Sequence, residues 1–356
     1  MAHMQVDAPA TSSTASTMPP PTQGTDGVEV AAMTSKDYYA DSYAHFGIHE
    51  EMLKDTVRTL SYRNAILQNP HLFKDKVVLD VGCGTGILSM FCAKAGAKMV
   101  IGVDMSNILD QAQKIVEKNG FADKITLIKG KIEEIELPVK EVDIIVSEFM
   151  GYLLIFESMT NSVLYARDRY LKKDGLLFPD QCTMYLAAIE DADYKEEKIG
   201  FWNDVYGFDY SPMLPIVLKE PLVDCVELKS VVTKPCLIKD IDLKTVKIED
   251  LDFTAPFELE ATRQDYVHAF LGWFDTHFNA CHKRISFSTG PHAKYTHWKQ
   301  TVMYTQDTIA VNEGDKITGV FSCKANARNP RDLDLGIEYE VKGQHPSKDS
   351  LQYKMS

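Results

Sequence analysis

Val77-Val78-Leu79-Asp80-Val81-Gly82-Cys83-Gly84-Thr85-Gly86-Ile87 is the stretch on which the fold turns. Its first five residues form a β-branched apolar run of the kind that makes a strand buried on both faces. The glycines that follow make a strand-to-helix turn where a ligand can approach the backbone, and the helix N-terminus beyond favours negative charge. The spacing is G-x-G-x-G, with Ile87 where a dinucleotide fingerprint has its third glycine, so no pyrophosphate cradle is implied. Beyond this stretch the alternation continues: the patterns predict helices over 87–95 and 108–119 and strands over 99–103, 125–128 and 142–146. Strands alternating with helices of this length predict βαβ units and a parallel, doubly wound α/β sheet.

The carboxyl edge of that sheet carries the ligand expectation. Asp104 ends the second strand about 20 residues after the glycine turn, where a carboxylate can accept both hydroxyls of a ribose. Glu133 follows the third strand on the same edge. An adenosine without a diphosphate fits this set. A glycine-rich turn in isolation is as often ordinary loop chemistry; the flanking strand, helix and acid favour a ligand.

Away from the sheet the texture changes. Residues 1–33 are rich in Ala, Thr, Ser and Pro without apolar periodicity and are expected to be disordered. Residues 34–70 carry Tyr43, Phe46, Ile48, Met52, Val57 and Leu60 near helical spacing, which predicts one or two amphipathic helices ending before Pro70. The sheet domain is expected over 71–179. Beyond it, alternating segments such as 183–187, 257–261, 285–288 and 317–321 predict a mainly antiparallel β domain over 180–356. An aromatic, acidic insertion at about 190–216 holds Phe201, Trp202, Tyr206, Phe208 and Tyr210. Large exposed aromatic patches are rare in monomers, so this insertion is expected to pack on something.

Composition narrows the function. Of 356 residues, 45% are hydrophobic and 25% charged, as in ordinary globular proteins. Lys and Arg number 38 against 51 Asp and Glu, a net charge of −13 that repels phosphates and anionic lipids and favours cationic, Arg- or Lys-rich partners. Direct binding to nucleic acid or membrane is not expected. No apolar run approaches a membrane span, and no secretory signal pattern opens the chain, which suggests an intracellular protein. The seven scattered cysteines contain no C-x-x-C pair, so neither a disulfide framework nor a zinc site is indicated.

The glycine turn resembles the S-adenosyl-L-methionine (AdoMet) binding motif of class I methyltransferases. Four more segments resemble type I protein arginine N-methyltransferases: Ser42-Tyr43-Ala44-His45-Phe46-Gly47-Ile48-His49-Glu50-Glu51-Met52, Ser147-Glu148-Phe149-Met150-Gly151-Tyr152, Phe156-Glu157-Ser158-Met159 and Tyr295-Thr296-His297-Trp298. The resemblance implies a Rossmann-like domain, then a β-barrel-like domain with the 190–216 insertion as a dimerisation arm. It implies mono- and asymmetric dimethylation of arginines in histone tails and Gly/Arg-rich RNA-binding proteins, by a homodimer or higher oligomer in nucleus and cytoplasm. S-adenosyl-L-homocysteine (AdoHcy) is the implied by-product. To the cofactor it assigns His49, Met52, Arg58, Asp80, Gly82, Gly84, Thr85, Asp104, Met105, Glu133 and Met159, and to the substrate Tyr43, Tyr152 and Trp298 with Glu148 and Glu157.

The residues support this chemistry independently. Transfer from a sulfonium needs no metal, because the methyl group is already activated and the protein mainly positions the nucleophile. Arginine is a poor nucleophile whose charge is delocalised. Two carboxylates, Glu148 and Glu157, can hold its N–H fork and enrich the remaining nitrogen. His297, oriented by Asp55, can take the proton, with Glu157 or water as alternatives. Arg58 suits a bidentate grip on the cofactor's carboxylate. Three residues differ from the family's usual choice: Phe149 for Trp, Ala40 for Phe, and Asp104 for Glu. A small-molecule methyltransferase would not need both glutamates, and an AdoMet-binding scaffold would not turn over a peptide.

Overall fold

The computed structural model describes residues 43–342 and 344–356. The expected tail 1–33 and the start of the expected helical region, including Ala40, lie outside the described residues. Two helices open the described chain, α1 (Phe46–Lys54) and α2 (Thr56–Leu67), followed by the short α3 (Pro70–Phe73). Asp55 breaks the first two apart with extended backbone (ψ 97°), and its carboxylate caps α2 by accepting the Arg58 N–H at 3.0 Å.

The first sheet has five parallel strands in the order β3-β2-β1-β4-β5. They are β1 (Val77–Val81), β2 (Met99–Asp104), β3 (Ile125–Lys129), β4 (Val142–Val146) and β5 (Leu171–Phe178). Helices α4 (Ile87–Lys94), α5 (Leu109–Lys118) and α6 (Met159–Tyr170) provide crossovers. β1 is central and buried from Val78 to Val81, which explains its unbroken apolar character. Its neighbours β2 and β4 run out to opposite sides, so the strand order reverses at its carboxyl end, the place where open sheets bind ligands. The predicted elements form there, with ends moved by a residue or two.

The second half is antiparallel. One sheet runs β7-β12-β10-β6-β8, with β11 (Ile285–Ser288) beside β10. Its strands are β6 (Gln181–Ile189), β7 (Leu222–Asp224), β8 (Cys236–Asp242), β10 (Asp265–Phe278) and β12 (Gln300–Val311). The other runs β15-β14-β13-β9, from β9 (Phe253–Glu260), β13 (Lys316–Ala325), β14 (Leu333–Lys342) and β15 (Ser347–Met355). Phe270 of the first sheet meets Phe257 and Tyr339 of the second at 5.9 and 5.5 Å between ring centres, so the sheets share an interior. That interior is continuous with the Rossmann-like core: Tyr62, Phe178 and Phe278, from α2, β5 and β10, pack together at 5.0 and 6.2 Å.

The insertion between β6 and β7 holds α7 (Ala192–Lys198), α8 (Leu214–Val217) and short 3-10 turns. At its tip Val205 and Phe208 exchange both backbone hydrogen bonds around Tyr206 (φ 53°) and Gly207 (φ 86°). Two consecutive positive-φ residues make a tight turn that throws its side chains outward. Tyr206 is 95% exposed and Phe208 70%.

Candidate active site

Three left-handed glycines shape the turn after β1: Gly82, Gly84 and Gly86, at φ 72°, 51° and 82°. A side chain at Gly82 would lie 2.7 Å from the Met159 methyl, and one at Gly84 would lie 3.2 Å from the His49 ring. The turn is therefore tight for conformational and steric reasons together, and His49 and Met159 stand over it. His49 is buried and bonded through Nε2 to the Tyr43 carbonyl at 2.8 Å. Thr85 and Met105 lie half-buried at the ends of the turn and of β2. Asp104 accepts the Gly84 N–H at 2.9 Å through one oxygen, and the Ser106 N–H and hydroxyl at 2.8 and 2.7 Å through the other. Glu133 is exposed beyond β3 and accepts the Ser162 hydroxyl at 2.6 Å. A glycine cradle with two acids on its rim suits a hydroxyl-bearing nucleoside and fits AdoMet.

Asp80 does not join this rim. It is fully buried, accepts the Ser89 hydroxyl at 2.6 Å, and leaves its other oxygen without a partner. Burial pushes its pKa up to about 7, against the bonds from Ser89. The cofactor contact expected of Asp80 is thus corrected to a buried tie between β1 and α4.

The two glutamates are presented by one loop. Glu148 follows β4, where the Ser147 hydroxyl is tied to the Val81 carbonyl at 2.7 Å and the Tyr62 hydroxyl to the Ser147 carbonyl at 2.8 Å. Gly151 and Leu154 exchange backbone bonds at 3.0 Å, and this hairpin returns the chain to Glu157. A β-carbon at Gly151 would fall 2.1 Å from the Phe156 carbonyl oxygen. Leu153, Leu154, Glu157 and Ser158 all have positive φ (48°, 71°, 72°, 60°), each costing about 1–3 kcal/mol and persisting because its surroundings hold it. Such strain concentrated in one loop is a mark of a functional site.

Both carboxylates are engaged. Arg58 Nε donates to Glu148 Oε2 at 2.6 Å, and Met150 N–H donates to Oε1 at 3.2 Å. Arg58 also donates through Nη1 to the Met52 carbonyl at 3.2 Å. The Arg58 guanidinium is thus shared between Glu148 and the end of α1. Glu157 accepts the Tyr43 hydroxyl at 2.9 Å. Burial raises its pKa, Tyr43 and Arg331 work against the rise, and the charge of Glu148 adds to it, so the two carboxylates sense one another. Tyr152, half-exposed, stacks on Phe156 at 6.1 Å.

Asp55 brings His297 to the site across 242 residues, accepting its backbone N–H at 2.9 Å and lying 2.7 Å from Nδ1. A carboxylate can only accept, so Nδ1 carries the hydrogen and Nε2 is the basic nitrogen. Burial would raise the Asp55 pKa, but the bonds from His297 and Arg58 hold it below the usual value. The expected substrate contact of Trp298 is also corrected. Its ring is only 3% exposed, stacks on Phe287 at 5.6 Å, and donates its N–H to the Met150 carbonyl at 2.7 Å, so it props the glutamate loop from beneath.

Tyr62, Ser147 and Arg331 were missed by sequence reasoning. Their partners lie 66 to 174 residues away, and although Ser147 opens one of the family-like segments, no local pattern marks the role of any of the three. The Asn329-Pro330 pair before Arg331 signals only a turn.

A glycine cradle at the switch point of a parallel sheet, paired carboxylates and an Asp–His pair define a class I AdoMet-dependent methyltransferase whose acceptor is cationic. Residues 78–175 match a methyltransferase domain model, and residues 180–344 match the arginine methyltransferase oligomerization subdomain. The chain is 63% identical over 326 residues to protein arginine N-methyltransferase 1 of Schizosaccharomyces pombe, covering 92% of this chain and 96% of that one. Against the Saccharomyces cerevisiae enzyme of the same name it is 58% identical, covering 86% and 88%. It superposes on the Trypanosoma brucei PRMT1 enzyme–prozyme heterotetrameric complex with AdoHcy at TM-score 0.86 and 48% identity, covering 89% of this chain and all of that one. The chain belongs to the protein arginine N-methyltransferases and is an AdoMet-dependent enzyme of type I.

Proposed function

We propose that Glu148 and Glu157 hold the guanidinium of an acceptor arginine, and that the enzyme forms monomethyl- and then asymmetric dimethylarginine in histone tails and Gly/Arg-rich proteins. The observation that carries this reading is that one strained loop presents both carboxylates near enough for the charge of Glu148 to act on Glu157, with Arg58 bonded to the first and Tyr43 to the second. Two acceptors can take the N–H fork from two sides and draw the positive charge away from the third nitrogen. Bound over the 82–86 turn, AdoMet supplies an electrophilic methyl group. His49, Met52, Arg58 and Met159 would shield and orient it, and Asp104 and Glu133 would meet its hydroxyl and amine groups. His297, with Nε2 free to accept, receives the acceptor's proton while Asp55 stabilises the resulting imidazolium.

The net charge of −13 supports basic acceptors and no direct nucleic acid partner. The exposed Tyr206 and Phe208 support a homodimer built through the arm, and the same reading expects the enzyme in the nucleus and cytoplasm. Mass spectrometry of a Gly/Arg-rich peptide incubated with AdoMet tests the reading. Asymmetric dimethylarginine is expected from the wild type, and a rate lower by about 10²–10³-fold from Glu148→Gln. Symmetric product, or an active Glu148→Gln, would overturn it.

A further inference from the structure

The second glutamate is held by a turn from the far end of the chain. Glu157 has a backbone conformation unfavourable for any residue but glycine (φ 72°). Its N–H donates to the Arg331 carbonyl at 2.9 Å, and Arg331 Nη1 donates back to the Glu157 carbonyl at 2.7 Å. Beside them the Ser158 hydroxyl donates to the Pro330 carbonyl. The 326–332 turn is itself braced by side-chain bonds. Asn326 Oδ1 accepts the N–H groups of Arg328 and Asn329 at 2.9 and 3.1 Å, and Asn329 Nδ2 donates to Asp332 Oδ1 at 2.6 Å. Lys354 of β15 pairs with Asp332 at 3.3 Å. A loop that leaves the parallel sheet is thus clamped by the antiparallel half of the molecule.

We propose that Arg331 is a positioning residue for methyl transfer: its paired backbone bonds fix Glu157 in the pocket shared with Glu148, and its guanidinium sets a positive charge behind that carboxylate. The proposal rests on the reading of Glu157 as a guanidinium ligand. Among the described residues, the charged and titratable groups facing Glu157 are Tyr43 ahead of α1, Glu148 with its partner Arg58, Tyr152 in the hairpin, and Arg331. Burial and Glu148 favour protonation of Glu157, and Tyr43 and Arg331 oppose it. Removing Arg331 therefore makes Glu157 easier to protonate and looser in position.

The test compares full-length Arg331→Met, Arg331→Lys and Glu157→Gln with the wild type, measuring kcat and KM on a Gly/Arg-rich peptide from about pH 6 to 9 and the Kd for AdoMet. Arg331→Met is expected to lower kcat about tenfold near neutral pH, leave the AdoMet Kd within about twofold, and move the acid limb of the kcat profile to higher pH. Arg331→Lys keeps the charge but not the planar donor, so the acid limb returns towards the wild type while kcat stays reduced. Wild-type kcat and an unmoved acid limb in Arg331→Met, with Glu157→Gln inactive, would overturn the role of Arg331 alone. An active Glu157→Gln would instead overturn the reading beneath it. Should Arg331→Met not fold, Arg331→Lys decides: reduced kcat with an unmoved acid limb supports the proposal, and unchanged kcat overturns it.

Discussion

At the scale of single residues, the site works by placing charge where burial makes it costly and compensating it locally. Glu148 is compensated by Arg58 and Asp55 by His297, whereas Asp80 has only a serine. That difference predicts a pH signature in stability. Asp80 has a folded-state pKa of about 7, above its ordinary value of 3.8, so its contribution is fully present below that ordinary value and is lost as pH rises through the folded pKa. Asp80→Asn keeps the shape and removes the titration. Thermal melts of both proteins should show the mutant gaining stability relative to the wild type as pH rises from about 4 to 8. A constant difference across that range would mean that Asp80 is ionised in the folded protein. The motif residues Glu148, Glu157, His297 and Asp55 were legible in the sequence because their neighbours are distinctive. That Asp80 and Trp298 face inward was not legible, since orientation on a strand or in a turn depends on what packs above and below.

At the scale of elements, the glutamate loop and the props beneath it form the working part. Trp298 reaches it from the segment before β12 with one hydrogen bond to Met150. Trp298→Phe keeps ring packing against Phe287 and Phe274 but leaves a buried carbonyl unsatisfied. A destabilisation of about 1–3 kcal/mol is expected, with kcat falling more than the AdoMet affinity. Denaturant melts and isothermal titration check it; a variant that loses AdoMet binding first would show that Trp298 serves the cofactor side instead. The first four parallel strands could be read from β-branched runs because each is a local signal. β5 and α6 escaped that reading: Lys172, Lys173 and Asp174 at the start of β5 are exposed, so its first half lacks an apolar pattern.

On the scale of the whole molecule, the arm is the part of the oligomerization subdomain that carries the proposed subunit contact. Its base is fastened to the β domain by Tyr304 and Tyr194, which donate to Asp191 and Asp224 at 2.5 and 2.6 Å, while its tip offers Tyr206 and Phe208 to solvent. A fastened base and a bare aromatic tip support the proposed intersubunit contact. Replacing both tip residues by serine is expected to shift light-scattering mass from a dimer or larger assembly to that of one chain, with methylation falling in parallel. A variant that remained assembled would place the contact elsewhere.

The alternation of β-branched and helical runs, the glycine turn and the motif residues are local properties, so the sequence by itself determined the parallel sheet, the site's location on its carboxyl edge and the class of chemistry. Only the tertiary structure decided how the site is held: Asp55 meets His297 across 242 residues, Tyr62 meets the Ser147 carbonyl across 85, and Arg331 meets Glu157 across 174. Such contacts follow from how two differently built halves close on one continuous core. A sequence records the partners of those contacts without recording which of them meet.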